Sequence, residues 1–202
     1  MSSDFVWSFN AKGMGRPFVE RRYLDGDTSM IEYLDTTLDV GLNPLFEPGR
    51  TYAGRAVKSK YVPTKMEWRS TEKLPPDILF HRNILLVSEK VKDIVEDIDE
   101  YVHQFFQIQI YLEGGSLANQ MFFFNVCTRI DSMDRERTTS DFDGRVWLPG
   151  TGEFAFSKKT IGTHNVWIDK HVDPGRFISN SLKKKLEEAD VTGLYLEKFP
   201  LY

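Results

Sequence analysis

A strand, helix and strand pattern occurs twice in this chain, first in ILLVSEKVKDIVEDI at 84–98 and its sequel, then in GRFISNSLKKKLEEADVTGLYLEKF at 175–199. Aligning Ser88 with Ser179 places Val87 on Ile178, Val91 on Leu182, Lys92 on Lys183, Val95 on Leu186 and Glu96 on Glu187. Few identities survive, but the capping serine and the apolar spacing do, and those features specify structure. The chain is thereby constrained to a scaffold containing two related units.

The first unit reads as a buried strand over 78–87, ILFHRNILLV, followed by a helix opened by Ser88, whose hydroxyl can take an exposed N–H of the first turn. Val91, Ile94, Val95 and Ile98 then fall on one helical stripe. QFFQIQIYL alternates like a strand, Glu113-Gly114-Gly115-Ser116 supplies a turn, and QMFFFNVCTRID reads as its antiparallel partner. In the second unit a helix runs from the Ser179 cap to about Ala189, and Gly193 lies where a positive φ suits only glycine. Between the units DRERTTSDFDGR is a loop, while VWLPGTGEFAFS and TIGTHNVWID read as short strands. The fold class expected is α+β, a mostly antiparallel sheet with few helices, with the two related strand-helix-strand units in the C-terminal part.

Residues 1–74 form an N-terminal layer on this reading, set off from the region 75–202 by the stiff stretch Lys73-Leu74-Pro75-Pro76. Within the layer, Met30, Ile31, Tyr33, Leu34, Leu38 and Val40 fit one helical face or an irregular strand, and the pattern does not choose between them. Gly41, Asn43 and Pro44 end that segment.

No apolar run approaches the roughly 20 residues that span a bilayer, and MSSDFVWSFNAKGMGRPF lacks the layout of a secretory signal. The single cysteine, Cys127, forbids an internal disulfide. A cytoplasmic protein without a membrane partner is expected. Charge is unevenly spread: residues 50–73 carry seven basic and two acidic side chains, whereas 80–157 carry seven basic and thirteen acidic. The acidic middle is either a docking surface for something basic or a solvated face. The basic stretch holds Tyr52, Tyr61 and Trp68, a composition that suits single-stranded nucleic acid, but a pI near 5.6 argues against that partner.

Catalytic chemistry is hard to assemble. His81, His103, His164 and His171 lack metal-ligand spacing, no second cysteine exists, and no cofactor motif accompanies the isolated Gly-x-Gly strings at 13–15 and 150–152. Cys127 lies inside the apolar run FFFNVCTRI, as a buried structural cysteine would. Asp141-Phe142-Asp143-Gly144 opens like a calcium loop, but Arg145 and Gly152 stand where oxygen ligands are needed, so a turn is expected.

One pattern has a cost with no local return. Glu89 with Asp93, Asp93 with Asp97, and Glu96 with Glu100 are like-charge pairs four residues apart on the first helix. Acids at a helix end also oppose the helix dipole. The second helix has acids there too, but Lys183, Lys184 and Lys185 offset them.

Several segments together resemble the Imm-eleven-like immunity proteins of bacterial polymorphic toxin systems. The matching positions are Pro76 and Asp77, Val87 and Ser88, Asn125, Val126, Asp131 and Asp134, Ile178 and Ser179, and finally Thr192, Gly193 and Leu194, covering roughly 75–199. The resemblance implies a non-enzymatic protein that binds a cognate toxin and protects the producing cell, its motif positions serving as caps, turns and core. With that partner in view, Glu96, Asp97, Asp99, Glu100, Asp141 and Asp143 are the contact residues expected. Homo-oligomers remain open. The competing readings are an enzyme using His164, His171 or Cys127 near an aspartate, which would reverse a toxin's modification, and a general interaction module.

Overall fold

Residues Ile84–Val87 are all apolar and all buried, which a strand achieves only when both faces of its sheet are covered. The computed structural model, which describes residues 4–13, 19–37, 53–70, 74–82, 84–173 and 175–202, supplies both covers. In chain order its elements are β1 (Phe5–Ser8), β2 (Asn10–Ala11), β3 (Glu20–Tyr23), β4 (Lys65–Arg69), β5 (Ile78–His81), β6 (Ile84–Val87), α1 (Glu89–Glu96), β7 (Gln104–Leu112), β8 (Leu117–Asn125), β9 (Arg129–Ile130), α2 (Lys158–Ile161), β10 (Val166–Asp169), β11 (Arg176–Ser179), α3 (Asn180–Glu188), β12 (Leu194–Tyr195) and β13 (Lys198–Pro200). They build a six-stranded sheet in the order β3-β4-β7-β8-β6-β5, a five-stranded sheet in the order β13-β1-β11-β10-β9, and a ribbon of β12 with β2. Most pairings are antiparallel, the exceptions being β4 with β7 and β9 with β10, so the chain is α+β with few helices.

Alternation along each strand divides the core into three layers. Ile84 and Leu86 face a cluster with Met66, Trp68, Ile108, Ile110 and Phe123, roofed by Val19, Ile31, Tyr33 and Val57. Leu85 and Val87 face the central cluster, where Phe122 and Phe124 meet Val166, Ile168 and Ile178 of the other sheet. Trp167 and Phe177 point outward again, under Trp147, Phe156 and Ile161. Burying each such aliphatic or aromatic side chain contributes about 1.5–3 kcal/mol.

The doubled unit is real at atomic detail. Ser88 and Ser179 take nearly the same backbone conformation, φ −69° ψ 165° and φ −68° ψ 159°, and their hydroxyls accept from the Val91 and Leu182 amides. Val91, Val95, Leu182 and Leu186 are all buried in the central cluster, where α1 and α3 pack together. The correspondence extends further than the alignment. Each cap serine sends its backbone N–H and its hydroxyl to one residue at the start of the preceding hairpin, Asp77 in the first unit and Asn165 in the second. The strand orders match as well: β5-β6-β8-β7 in one sheet and β10-β11-β1-β13 in the other. The second unit thus receives its third strand, β1, from the start of the chain.

Several segments differ from the sequence reading. The run 78–87 is a hairpin rather than one strand, because Arg82 takes a left-handed turn at φ 46°. The segment TIGTH begins inside α2, which Ser157 caps through the Thr160 amide, and VWLPGTGEFAFS is a loop held by isolated bridges, one at Trp147 and two at Phe156. Residues 31–34 are irregular and extended, with Ile31 and Tyr33 buried and Leu34 exposed; Leu38, Val40, Gly41, Asn43 and Pro44 lie outside the described residues, as do Tyr52, Lys73 and most of the 13–15 string. In the basic stretch, Arg55, Lys58 and Arg69 pair with Asp35, Glu32, Glu20 and Glu67, acids within the first 74 residues.

Candidate partner-binding site

After α1 the chain must turn sharply to enter β7, and the acidic residues are distributed by that turn. Ile98 remains half-buried against the central cluster, and Asp99 swings inward to 9% exposure. Its carboxylate accepts the Val166 amide at 3.0 Å, the Asn165 amide at 3.2 Å and the Asn165 side-chain N–H at 3.0 Å, which pins the start of β10. Burial alone would raise the Asp99 pKa, but these donors and His103 hold it below the usual carboxylate value. His103 has a fully buried side chain whose Nδ1 accepts the Cys127 amide, which leaves Nε2 to carry the proton toward Asp99 at 3.4 Å. Asp99 therefore serves the framework, and the other acids occupy the surface.

Glu96, Asp97 and Glu100 together with Tyr101 line one open pocket of about 370 Å³. Lys92 neutralises Glu96 from one turn earlier, and Lys185 reaches Asp97 at 2.6 Å across the α1–α3 contact. Both members of that second pair are largely exposed, so it contributes little to stability. Tyr101 is 89% exposed and holds φ 58°. A left-handed conformation costs a tyrosine on the order of 1–2 kcal/mol, so the turn displays an aromatic ring at the expense of backbone ease. Beside it, Val102 is exposed as well. A second open pocket of about 410 Å³ shares Asp97 and continues between the helices over Asp93, Ile94, Lys185, Glu188 and Ala189.

Asp141 and Asp143 lie elsewhere, in the loop layer on the outer face of the five-stranded sheet, opposite to the face that carries α1 and α3. Asp143 makes a turn by accepting the Arg145 and Val146 amides at 2.8 and 2.7 Å, and those bonds depress its pKa. The six sequence-derived acids thus separate into a surface group of three, one buried strut and two turn residues. Tyr101 escaped the sequence reading because nothing in its local pattern announces a left-handed tyrosine.

The residues with catalytic potential are engaged differently. Burial pushes the Cys127 thiol up to about 11, so it is protonated at neutral pH, and Asn125 and Gln104 surround its sulfur. His171 has its Nδ1 on the Arg145 carbonyl at 2.7 Å, and its Nε2 lies 3.8 Å from Asp131. His164 is exposed on the turn after α2. Among the described residues no group of three or more His, Cys, Asp or Glu side chains could hold a metal ion, and no helix is long and apolar enough to cross a membrane.

Five of the motif positions, Pro76, Asp77, Ser88, Thr192 and Gly193, converge on a structural knot. Asp77 accepts the Ser88 hydroxyl at 2.7 Å, the Thr192 amide at 2.9 Å and the Thr192 hydroxyl at 2.7 Å, which ties the first hairpin and cap to the last turn of the chain. Gly193 holds φ 80° there, and a Cβ at that position would collide with the Ile78 carbonyl and come within 2.8 Å of Pro76 Cβ. Asp190, at φ 49°, is the residue that ends α3 in the left-handed region. These positions make the fold, and the acidic turn after α1 stands apart from them.

The model of the immunity protein family Imm11 matches residues 9–199 of the chain. No curated protein matches it.

Proposed function

The chain belongs to the Imm11 family of immunity proteins, and from that premise we propose that it neutralises a cognate bacterial toxin by direct contact in the cytoplasm of the producing cell, without catalysis. We assign the contact to the acidic turn after α1. The observation that carries this assignment is the surface formed by Glu96, Asp97, Glu100 and Tyr101 around one pocket. Its acids oppose the helix dipole, and its tyrosine occupies a strained conformation while fully displayed. Features that weaken the isolated protein while presenting charge and an aromatic ring suit a binding surface, since hot spots favour tyrosine and charged rims steer association.

The reading favours a toxin with a basic contact region, such as one that itself acts on a polyanion. A catalytic alternative gains no support from Cys127, whose thiol is held protonated. Measuring the affinity of the cognate toxin for Glu100→Lys, Tyr101→Ala and their combination tests the assignment. The double variant is expected to lose at least a hundredfold in affinity, with a slower association rate and a flatter salt dependence. Unchanged affinity in a correctly folded double variant would place the contact elsewhere.

A further inference from the structure

On the outer face of the five-stranded sheet, two aromatic rings and a carboxylate hold a cationic group, with a third ring packed behind them. Phe142 and Trp147 pack against each other across the Asp143–Gly144 turn with ring centroids 4.7 Å apart and planes tilted by 41°. His171 stands edge-on to Phe142 at 5.5 Å. The Arg135 guanidinium rests 5.0 Å from the Phe142 centroid and 5.9 Å from that of Trp147, while its Nη2 donates to Asp131 Oδ2 at 2.8 Å. Faces of aromatic rings beside an anion form a receptor for a cation.

The fit of the resident arginine is incomplete. A guanidinium can engage both oxygens of a carboxylate in parallel, but Arg135 uses Oδ2 alone. Asp131 Oδ1 is buried without a hydrogen-bond partner among the described residues. A buried polar atom in this condition indicates a missing partner. Arg135 is itself about half exposed, and its pair with Asp131 closes a short surface turn, so it is weakly held and can leave without disturbing the core.

We propose that Asp131, Phe142, Trp147 and His171 form a receptor for one cationic side chain, which Arg135 fills from within the chain and which an arginine of the partner takes over on binding. Only the identity of that occupant rests on the toxin-binding reading; the receptor itself does not. Arg135 then acts as an internal competitor. Asp141 and Asp143, which flank Phe142, add negative charge at its rim.

The test uses the full chain with Arg135→Ala, and Arg135→Gln as a parallel variant should alanine disturb the loop. Nα-acetyl-arginine amide is titrated at constant ionic strength while the Trp147 indole N–H is followed by NMR. Saturable millimolar binding is expected in either variant, at least tenfold weaker in the unaltered chain and in Arg135→Ala combined with Asp131→Asn. Absence of a saturable shift in a natively folded variant overturns the receptor. With the toxin, Arg135→Ala is expected to bind severalfold more tightly because the competitor is gone, whereas adding Asp131→Asn should cost at least tenfold. Weaker or unchanged binding by Arg135→Ala would overturn the takeover while leaving the acidic turn after α1 untouched.

Discussion

Replacing Asp77 with alanine removes the carboxylate on which the first cap and the final turn both depend. Ser88 Oγ, Thr192 N and Thr192 Oγ1 each donate to it, and Lys90 Nζ lies 3.4 Å away. A hydrogen bond to a charged acceptor contributes about 1.5–3 kcal/mol. Three such bonds to one carboxylate are not additive, and with the side chain 16% exposed water can reach part of the vacated site. The expected loss is about 3 kcal/mol, or about 6–12 °C in Tm for a chain of this size. Urea unfolding followed by circular dichroism measures it directly. Burial alone would raise the Asp77 pKa, but the Thr192 and Ser88 bonds hold it below its ordinary value. Its contribution is therefore complete above the unfolded carboxylate value near pH 4 and fades as pH falls through the lower folded value. The gap between the two proteins should accordingly narrow below about pH 4. A loss under about 1 kcal/mol with an unchanged urea slope, or a gap independent of pH, would refute the account of the knot.

Three further outcomes follow from the geometry. Gly193→Ala should destabilise by about 2–4 kcal/mol, since it forces both a collision with Ile78 and a left-handed alanine, and thermal unfolding reads the change. Tyr101→Gly should stabilise the chain by about 1 kcal/mol while weakening toxin binding, a division between stability and affinity that paired unfolding and binding measurements would reveal. Cys127 should react with a thiol reagent at pH 8 about two orders of magnitude more slowly in the folded chain than after denaturation, and Cys127→Ser should still protect cells in a toxin challenge.

Much of the framework was legible in the sequence because caps and apolar stripes are local. Ser88, Ser179, Val91, Val95, Leu182 and Leu186 have the expected roles, and Asp143–Gly144 makes the expected turn. The pairing of β1 with β11 was not legible, because it joins residues some 170 positions apart through backbone bonds that carry no sequence signature. Nor could spacing separate Asp99 from Glu96, Asp97 and Glu100: four acids around a helix end look equivalent until the chain turns and buries one of them. The cage around Arg135 joins side chains of the loop 131–147 to His171, and no local spacing announces that Asp131, Phe142, Trp147 and His171 come together.

The assignment of the toxin contact is tested most directly by hydrogen exchange of the chain alone and in complex with its toxin. Amides from Glu96 to Val102 should gain protection on binding. Protection confined to other surfaces, such as the β7–β8 tip at 113–116, with exchange after α1 unchanged, would contradict it.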